Sequence, residues 1–148
     1  MRTIEAERVR VERRHRAVTE IRQHLAGLYR SFVAWASLYG DVDGWDERER
    51  REQVVRLLDE LSNGYLPRSV WLAEGTRKKL DNFLQRSGDL CSEFSADVEE
   101  QGYEKVRTSM AHRVSKNLGA LRKDIESELE SELAETRRAG WRERLRRS

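Results

Sequence analysis

The chain has 148 residues, of which 37% are hydrophobic and 38% are charged, and its formal net charge at pH 7 is +2. This length suits one domain with a buried core, while the nearly balanced charge excludes a chain that is basic throughout, as many nucleic-acid-binding domains are. No apolar run approaches the roughly 20 residues of a membrane-spanning helix, and the first residues lack the apolar segment of a secretory signal.

About half of the residues are Ala, Glu, Lys, Leu or Arg, which is typical of long helices because these side chains lose little rotamer freedom there. The sequence therefore predicts an all-α protein. The expected architecture is an antiparallel four-helix bundle of long, coiled-coil-like helices in residues 1–138, followed by a basic C-terminal tail in residues 139–148. The predicted helices cover residues 3–39, 45–62, 67–100 and 103–138.

A heptad repeat marks the first helix. Its apolar residues recur at every seventh position, so they share one face that packs against other helices; they are Ile4, Val11, Val18, Leu25, Phe32 and Tyr39. Gly40 is expected to end this helix because glycine adopts the left-handed conformation found after many helices. Asp43 is expected to cap the second helix with its carboxylate.

The stretch "SNGYLPRSVWLAEG" lies between the second and third predicted helices. Asn63 and Gly64 are expected to end the second helix, and Pro67 to open the third, where its missing N–H is not needed. Apolar residues here either staple the helix joint to the body or form a partner surface. These residues are Tyr65, Leu66 and Trp71.

Apolar spacings of three and four define the inner faces of the third and fourth helices. Gly102 is expected to end the third helix, but the sequence leaves open whether a turn separates these two helices or whether they are nearly continuous. The third helix contributes Leu80, Phe83, Leu90 and Phe94. The fourth contributes Val106, Met110, Val114, Leu118, Leu121, Ile125, Leu129 and Leu133.

The segments "FVAWASLY" and "NGYLPRSVWLAEGTRKKLDNFL", with a charged helix between them, carry a resemblance to a protein family. They resemble uncharacterised bacterial coiled-coil and helical-bundle proteins in which a Tyr-Leu-Pro step opens a helix with an aromatic residue further on, here Phe83. The resemblance covers about residues 25–94. It implies a helical bundle in a bacterial cell and no known activity.

No set of residues in the sequence has the spacing of a catalytic, cofactor or metal site. Among the dispersed histidines His15, His24 and His112, only His15 follows a glutamate, Glu12, with the spacing of helical di-iron sites, which need a second copy. The single cysteine, Cys91, excludes an intrachain disulfide and fits a reducing cytoplasm. The sequence therefore predicts a non-enzymatic cytoplasmic protein without a cofactor or metal.

Two charge runs are expected to meet in the bundle. The first helix opens with Arg8, Arg10, Arg13, Arg14 and Arg16, and the fourth helix carries Glu126, Glu128, Glu130, Glu132 and Glu135. In an antiparallel bundle the first helix begins where the fourth ends. The glutamates are therefore predicted to neutralise the N-terminal arginines.

The C-terminal residues have no such acidic counterpart in the sequence. Trp141 and Leu145 are spaced i, i+4 among arginines, as in segments that touch an acidic membrane, nucleic acid or protein surface. The alternative is a frayed, solvated terminus. The candidate contacts with a polyanion are Arg137, Arg138, Trp141, Arg142, Arg144, Arg146 and Arg147.

The expected function is that of a non-enzymatic helical interaction or assembly module. A homodimer is predicted because the heptad of the first helix is longer than the second helix can cover. The alternative function is a basic-tailed adaptor that binds nucleic acid or an anionic membrane. A third possibility is a regulator that holds a small ligand in a bundle cavity.

Overall fold

A computed structural model describes residues 2–37 and 46–147 of the chain. Within these ranges all regular structure is helical, so the protein is an all-α helical bundle, as the sequence predicts. None of the described helices is both long enough and apolar enough to cross a bilayer. The helices are α1 (Arg2–Trp35), α2 (Glu47–Arg68), α3 (Glu74–Gln101), α4 (Tyr103–Val114) and α5 (Ala120–Arg147), with a 3-10 turn at Ser69–Trp71 and a π-helical turn at Ser115–Gly119.

Four antiparallel rods surround one apolar core, and α4, the π-helical turn and α5 together form the fourth rod. Pairs at both ends of α2 show that it runs antiparallel to α1. Arg68, at the end of α2, pairs with Glu20 of α1, whereas Glu47, at its start, accepts a hydrogen bond from the indole N–H of Trp35 at 3.0 Å. The indole of Trp35 also meets the ring of Phe94 from α3 edge-on, with 5.6 Å between ring centroids.

The connection between α1 and α2 differs from the prediction. α1 ends at Trp35, earlier than expected, while Gly40 and the predicted cap Asp43 lie outside the described residues. The residue that caps α2 is Asp46, whose carboxylate accepts a hydrogen bond from the backbone N–H of Glu49 at 2.8 Å. An aspartate at this position satisfies a backbone donor that the first helical turn leaves unpaired.

The prediction that the "NG" pair ends the second helix is wrong, and so is the prediction that Pro67 opens the third. α2 continues to Arg68, and Pro67 lies in its last turn. A Cβ atom at Gly64 would lie 3.5 Å from the imidazole of His24, an ordinary van der Waals distance, so α2 packs against α1 at this position. The next residue, Tyr65, is buried. These tertiary contacts outweigh the low helix propensity of asparagine and glycine.

Two further boundaries differ from the prediction. α3 begins at Glu74, and Trp71 lies in the preceding 3-10 turn rather than on that helix. The backbone N–H of Ala73 donates to the carboxylate of Glu132 at 2.7 Å, which anchors the start of α3 on α5. Residues of the predicted C-terminal tail continue α5 as far as Arg147, because they lie along the first turns of α1 instead of projecting alone.

A turn at Gly102 separates α3 from α4, which answers the question that the sequence leaves open. Gly102 has a φ of +87°, a conformation that strains any residue with a side chain. The chain reverses there, and Arg113 of α4 pairs with Asp97 of α3 at 3.0 Å. The prediction that Gly102 ends the third helix is confirmed.

The π-helical turn interrupts what the sequence predicts as one continuous fourth helix. Gly119 is buried in this turn, and a Cβ atom there would lie 3.2 Å from the hydroxyl oxygen of Tyr29 in α1. The guanidinium of Arg122, one turn later, stacks over the ring of Tyr29 at 4.4 Å from its centroid. The irregular turn and its glycine therefore let the fourth rod approach α1 closely.

The buried phenol of Tyr65 makes stability sensitive to alkaline pH. Its hydroxyl donates to the backbone carbonyl of Arg77 at 3.2 Å, and burial, with the nearby carboxylate of Asp81, raises its pKa to about 12. Because the folded state holds this proton more tightly than the unfolded state, its contribution is complete below about pH 10 and is lost as pH rises towards 12.

We expect the free energy of unfolding to fall by about 2 kcal/mol more in the parent than in Tyr65→Phe between roughly pH 9 and pH 12. Urea denaturation of both proteins across this range measures the difference. Because every other titrating group is common to both proteins, parallel pH profiles would contradict the expectation.

Candidate basic interface

The first half of α1 and the last third of α5 lie antiparallel, beyond the four-helix body. Arg14 of α1 is beside Glu132 of α5, and Glu7 lies 4.0 Å from Arg146. No side chain that the structure describes in residues 3–16 or 137–146 is buried, whereas buried residues begin at Ala17. We call this two-helix extension, residues 2–16 and 137–147, the basic prong.

The basic prong concentrates positive charge in a protein that is nearly neutral as a whole. Its sequence contains twelve arginines and four glutamates, while the remaining residues include 17 basic and 23 acidic side chains. The formal charges are therefore +8 for the basic prong and −6 for the remainder. Both arginine clusters that the sequence analysis treats separately belong to this one extension.

Arg14 is the one member of the N-terminal cluster that pairs with the glutamate run as predicted. Its guanidinium lies 3.1 Å from a carboxylate oxygen of Glu132 and 3.0 Å from one of Glu135. Glu132 is buried, and the same oxygen accepts the hydrogen bond from Ala73. The Arg14–Glu132 pair therefore joins α1, α5 and the start of α3.

For the rest of the N-terminal cluster the predicted neutralisation is wrong. Among the described side chains, Arg10, Arg13 and Arg16 form no ion pair, and Arg8 pairs with Glu12 of its own helix. The other glutamates of the run pair within the body: Glu126 with Arg122, Glu128 with Lys79, and Glu130 with Arg22. The reason is register, because the first turns of α1 lie beside the C-terminal arginines and not beside the glutamates.

An open groove of about 800 Å³ follows the junction between α1 and α5 at the base of the basic prong. It lies on the protein surface and not inside the bundle. Its walls combine short or apolar side chains with basic and acidic ones. They include Val11, Glu12, His15, Thr19 and Glu20 from α1 and Gly140, Trp141 and Arg144 from α5.

Trp141 and Leu145 form an exposed apolar pair on the basic prong. Each is 64% exposed, and their i, i+4 spacing places them on one face of α5. At about 100° per residue, four arginines flank this pair. Arg137 and Arg144 lie on one side, and Arg138 and Arg142 on the other.

The three residues predicted as a helix staple or partner surface have different environments. Tyr65 is buried, and Trp71 is half-buried where the 3-10 turn meets α1. Leu66 is 74% exposed, and Val70, one turn later, is 71% exposed. The exposed apolar surface is thus Leu66 with Val70. Sequence reasoning missed Val70, although its i, i+4 spacing from Leu66 was visible.

The histidines and the cysteine do not come together in the described part of the chain. His24 is half-buried between α1 and α2, while His15 and His112 are exposed on different helices. No group of three described side chains has the arrangement of a metal site. Cys91 is buried, and this burial raises the pKa of its thiol, which disfavours the reactive thiolate.

Comparisons with protein-family models, with curated proteins and with solved structures found no match to this chain.

Proposed function

We propose that this protein is a non-enzymatic, cytoplasmic helical interaction module whose basic prong binds a polyanionic surface. The observation that carries the proposal is the juxtaposition of the two arginine clusters on one extension, away from the glutamates of the body. The single unpaired cysteine supports the cytoplasmic location, because a reducing compartment keeps thiols free.

Charge separation supports a role in association. Arginines on two adjacent helices create a positive potential that extends about one Debye length, roughly 10 Å at 0.1 M salt. The acidic body is repelled by the same polyanion that attracts the basic prong, so the protein is steered with this end first. Arginine also suits such a role because its planar guanidinium binds phosphate or carboxylate oxygens with two parallel hydrogen bonds.

Binding to immobilised heparin, used as a generic polyanion, tests this proposal. We expect the full chain to be retained and to elute as salt rises, and the triple variant Arg138→Gln, Arg142→Gln, Arg144→Gln to elute at markedly lower salt. The matched control replaces three exposed arginines of the body, Arg48→Gln, Arg56→Gln and Arg86→Gln. Equal elution of the two triple variants would overturn the proposal.

Self-association is a second proposed property of the module. The sequence predicts a homodimer from an uncovered α1 seam, and Ile4 at the start of that seam is exposed although α5 runs beside it. The exposed pair Leu66 and Val70 now favours the end of α2 as the contact, because the two side chains form an exposed apolar surface there.

We expect light scattering at about 50 μM, a concentration suited to weak dimers, to give twice the chain mass of 17.4 kDa. Leu66→Ser with Val70→Ser should give the monomer mass with unchanged helicity, because both side chains are on the surface. A parent protein that is monomeric at this concentration would rule out the dimer.

A further inference from the structure

We infer that the polyanionic surface is an anionic lipid bilayer, with Trp141 and Leu145 entering its headgroup region. This inference rests on the proposed function and adds the identity of the partner. Arginine phosphate contacts alone would serve a nucleic acid equally well. The apolar pair at the centre of the arginine face is what distinguishes the two partners.

The residue types on this face match the two parts of a membrane interface. A tryptophan places its apolar ring among the acyl-chain ends and its indole N–H among the polar headgroups, and arginines hold the lipid phosphates around it. Trp141 and Leu145 are each 64% exposed, and Arg138 and Arg142 flank them on one side and Arg137 and Arg144 on the other. This is an apolar centre with a cationic rim.

Duplex DNA would leave the apolar pair without a role. Non-specific binding to duplex DNA comes from phosphate contacts, and exposed indole and leucine side chains add nothing to those contacts. A bilayer removes both side chains from water while the arginines keep their phosphate partners. Helix α5 does not span the bilayer, so the contact is peripheral and reversible.

The charge of the body is consistent with a peripheral orientation. The acidic remainder of the chain is held away from an anionic surface, while the end of α5 is drawn towards it. Trp141 and Arg144 of α5 share an open groove with Val11 and His15 of α1, so the first turns of α1 lie beside the α5 face that meets the bilayer.

Co-sedimentation of the full chain with vesicles tests the inference. Vesicles of phosphatidylglycerol and phosphatidylcholine in about a 1:2 ratio should bind the protein, and pure phosphatidylcholine vesicles should not. Trp141→Ser with Leu145→Ser should weaken binding about tenfold or more through lost apolar insertion. Arg138→Gln with Arg142→Gln should weaken it about 25-fold, at roughly fivefold per arginine.

A matched control replaces two exposed apolar residues of the body, Val33→Ser and Val55→Ser, and should bind as the parent does. Brominated lipids should quench the parent's tryptophan fluorescence. Trp141→Phe should still bind but should lose most of this quenching, because Trp141 is the tryptophan that the inference places in the headgroup region. Thermal melts of all variants show whether the fold is intact.

Three outcomes would overturn the inference, and they differ in what they imply for the proposed function. Vesicle binding that is insensitive to the Trp141 and Leu145 substitutions excludes insertion. Binding to a short DNA duplex and to heparin without binding to anionic vesicles replaces the bilayer with nucleic acid and leaves the proposed function standing. Failure to bind vesicles, DNA and heparin at low salt removes both.

Discussion

Replacing Trp35 with alanine should lower the free energy of unfolding by about 3–5 kcal/mol, the usual cost of removing a large buried aromatic side chain. The indole is fully buried between the rings of Phe32 and Phe94. Its N–H donates to Glu47 at the start of α2, and its backbone carbonyl accepts a hydrogen bond from the hydroxyl of Tyr103 at the start of α4. The variant therefore loses packing across helices and leaves the Glu47 carboxylate without its indole donor.

Urea denaturation followed by circular dichroism measures this loss, and Trp71→Ala is the matched control. Trp71 is half-buried at the outer edge of the 3-10 turn, so its removal should cost about 1 kcal/mol. Equal losses of unfolding free energy in the two variants would contradict this expectation. They would mean that the helix joint at Trp71 contributes as much to the core as the packing of Trp35 does.

We expect the N-terminal arginines to divide into one that stabilises the fold, Arg14, and others that contribute to polyanion binding. Arg14→Glu places a second carboxylate beside the buried Glu132 and should lower the free energy of unfolding by about 2–4 kcal/mol, because it replaces a partly buried ion pair with repulsion. The triple variant Arg10→Glu, Arg13→Glu, Arg16→Glu should change the free energy of unfolding by less than about 1 kcal/mol. These side chains form no ion pair with the described residues, so none is lost.

Heparin binding should respond in the opposite way. The triple reversal lowers the formal charge of the basic prong from +8 to +2 and should weaken heparin binding at least about tenfold at low salt. A triple variant that unfolds while retaining heparin binding would contradict this division. It would favour the sequence-based view that polyanion affinity belongs to the C-terminal arginines alone.

The inner faces of the helices were predictable from the sequence because the residue spacing that defines each face lies within a single helix. Leu80, Phe83, Leu90 and Phe94 of α3 are all buried, as their spacing predicts. In α1 the same reasoning holds from Val18 to Phe32, while Tyr39 lies outside the described residues and Ile4 at the start of the heptad is exposed. A repeat identifies a helical face, whereas burial also requires that neighbouring helices pack over that face.

The ends of helices were less predictable, because local and tertiary preferences compete there. Gly102 ends α3 as expected, since a positive φ is a local requirement that glycine meets. At Gly64 the local preference for a turn is overridden where α2 packs against His24 of α1. The sequence contains both glycines, but only the packed structure distinguishes a chain reversal from a close helix contact.

By itself, the sequence determined the all-α class, the apolar faces and the two arginine clusters, because composition and 3.6-residue periodicity are local properties of a chain. Only the tertiary structure decided which charges meet. The register between α1 and α5 places Arg14 against Glu132 and the remaining N-terminal arginines beside the C-terminal ones. A shift of a few residues between two long antiparallel helices leaves each sequence pattern unchanged. It nevertheless decides whether the N-terminal arginines lie beside glutamates, which neutralise them, or beside the C-terminal arginines, which form the basic prong with them.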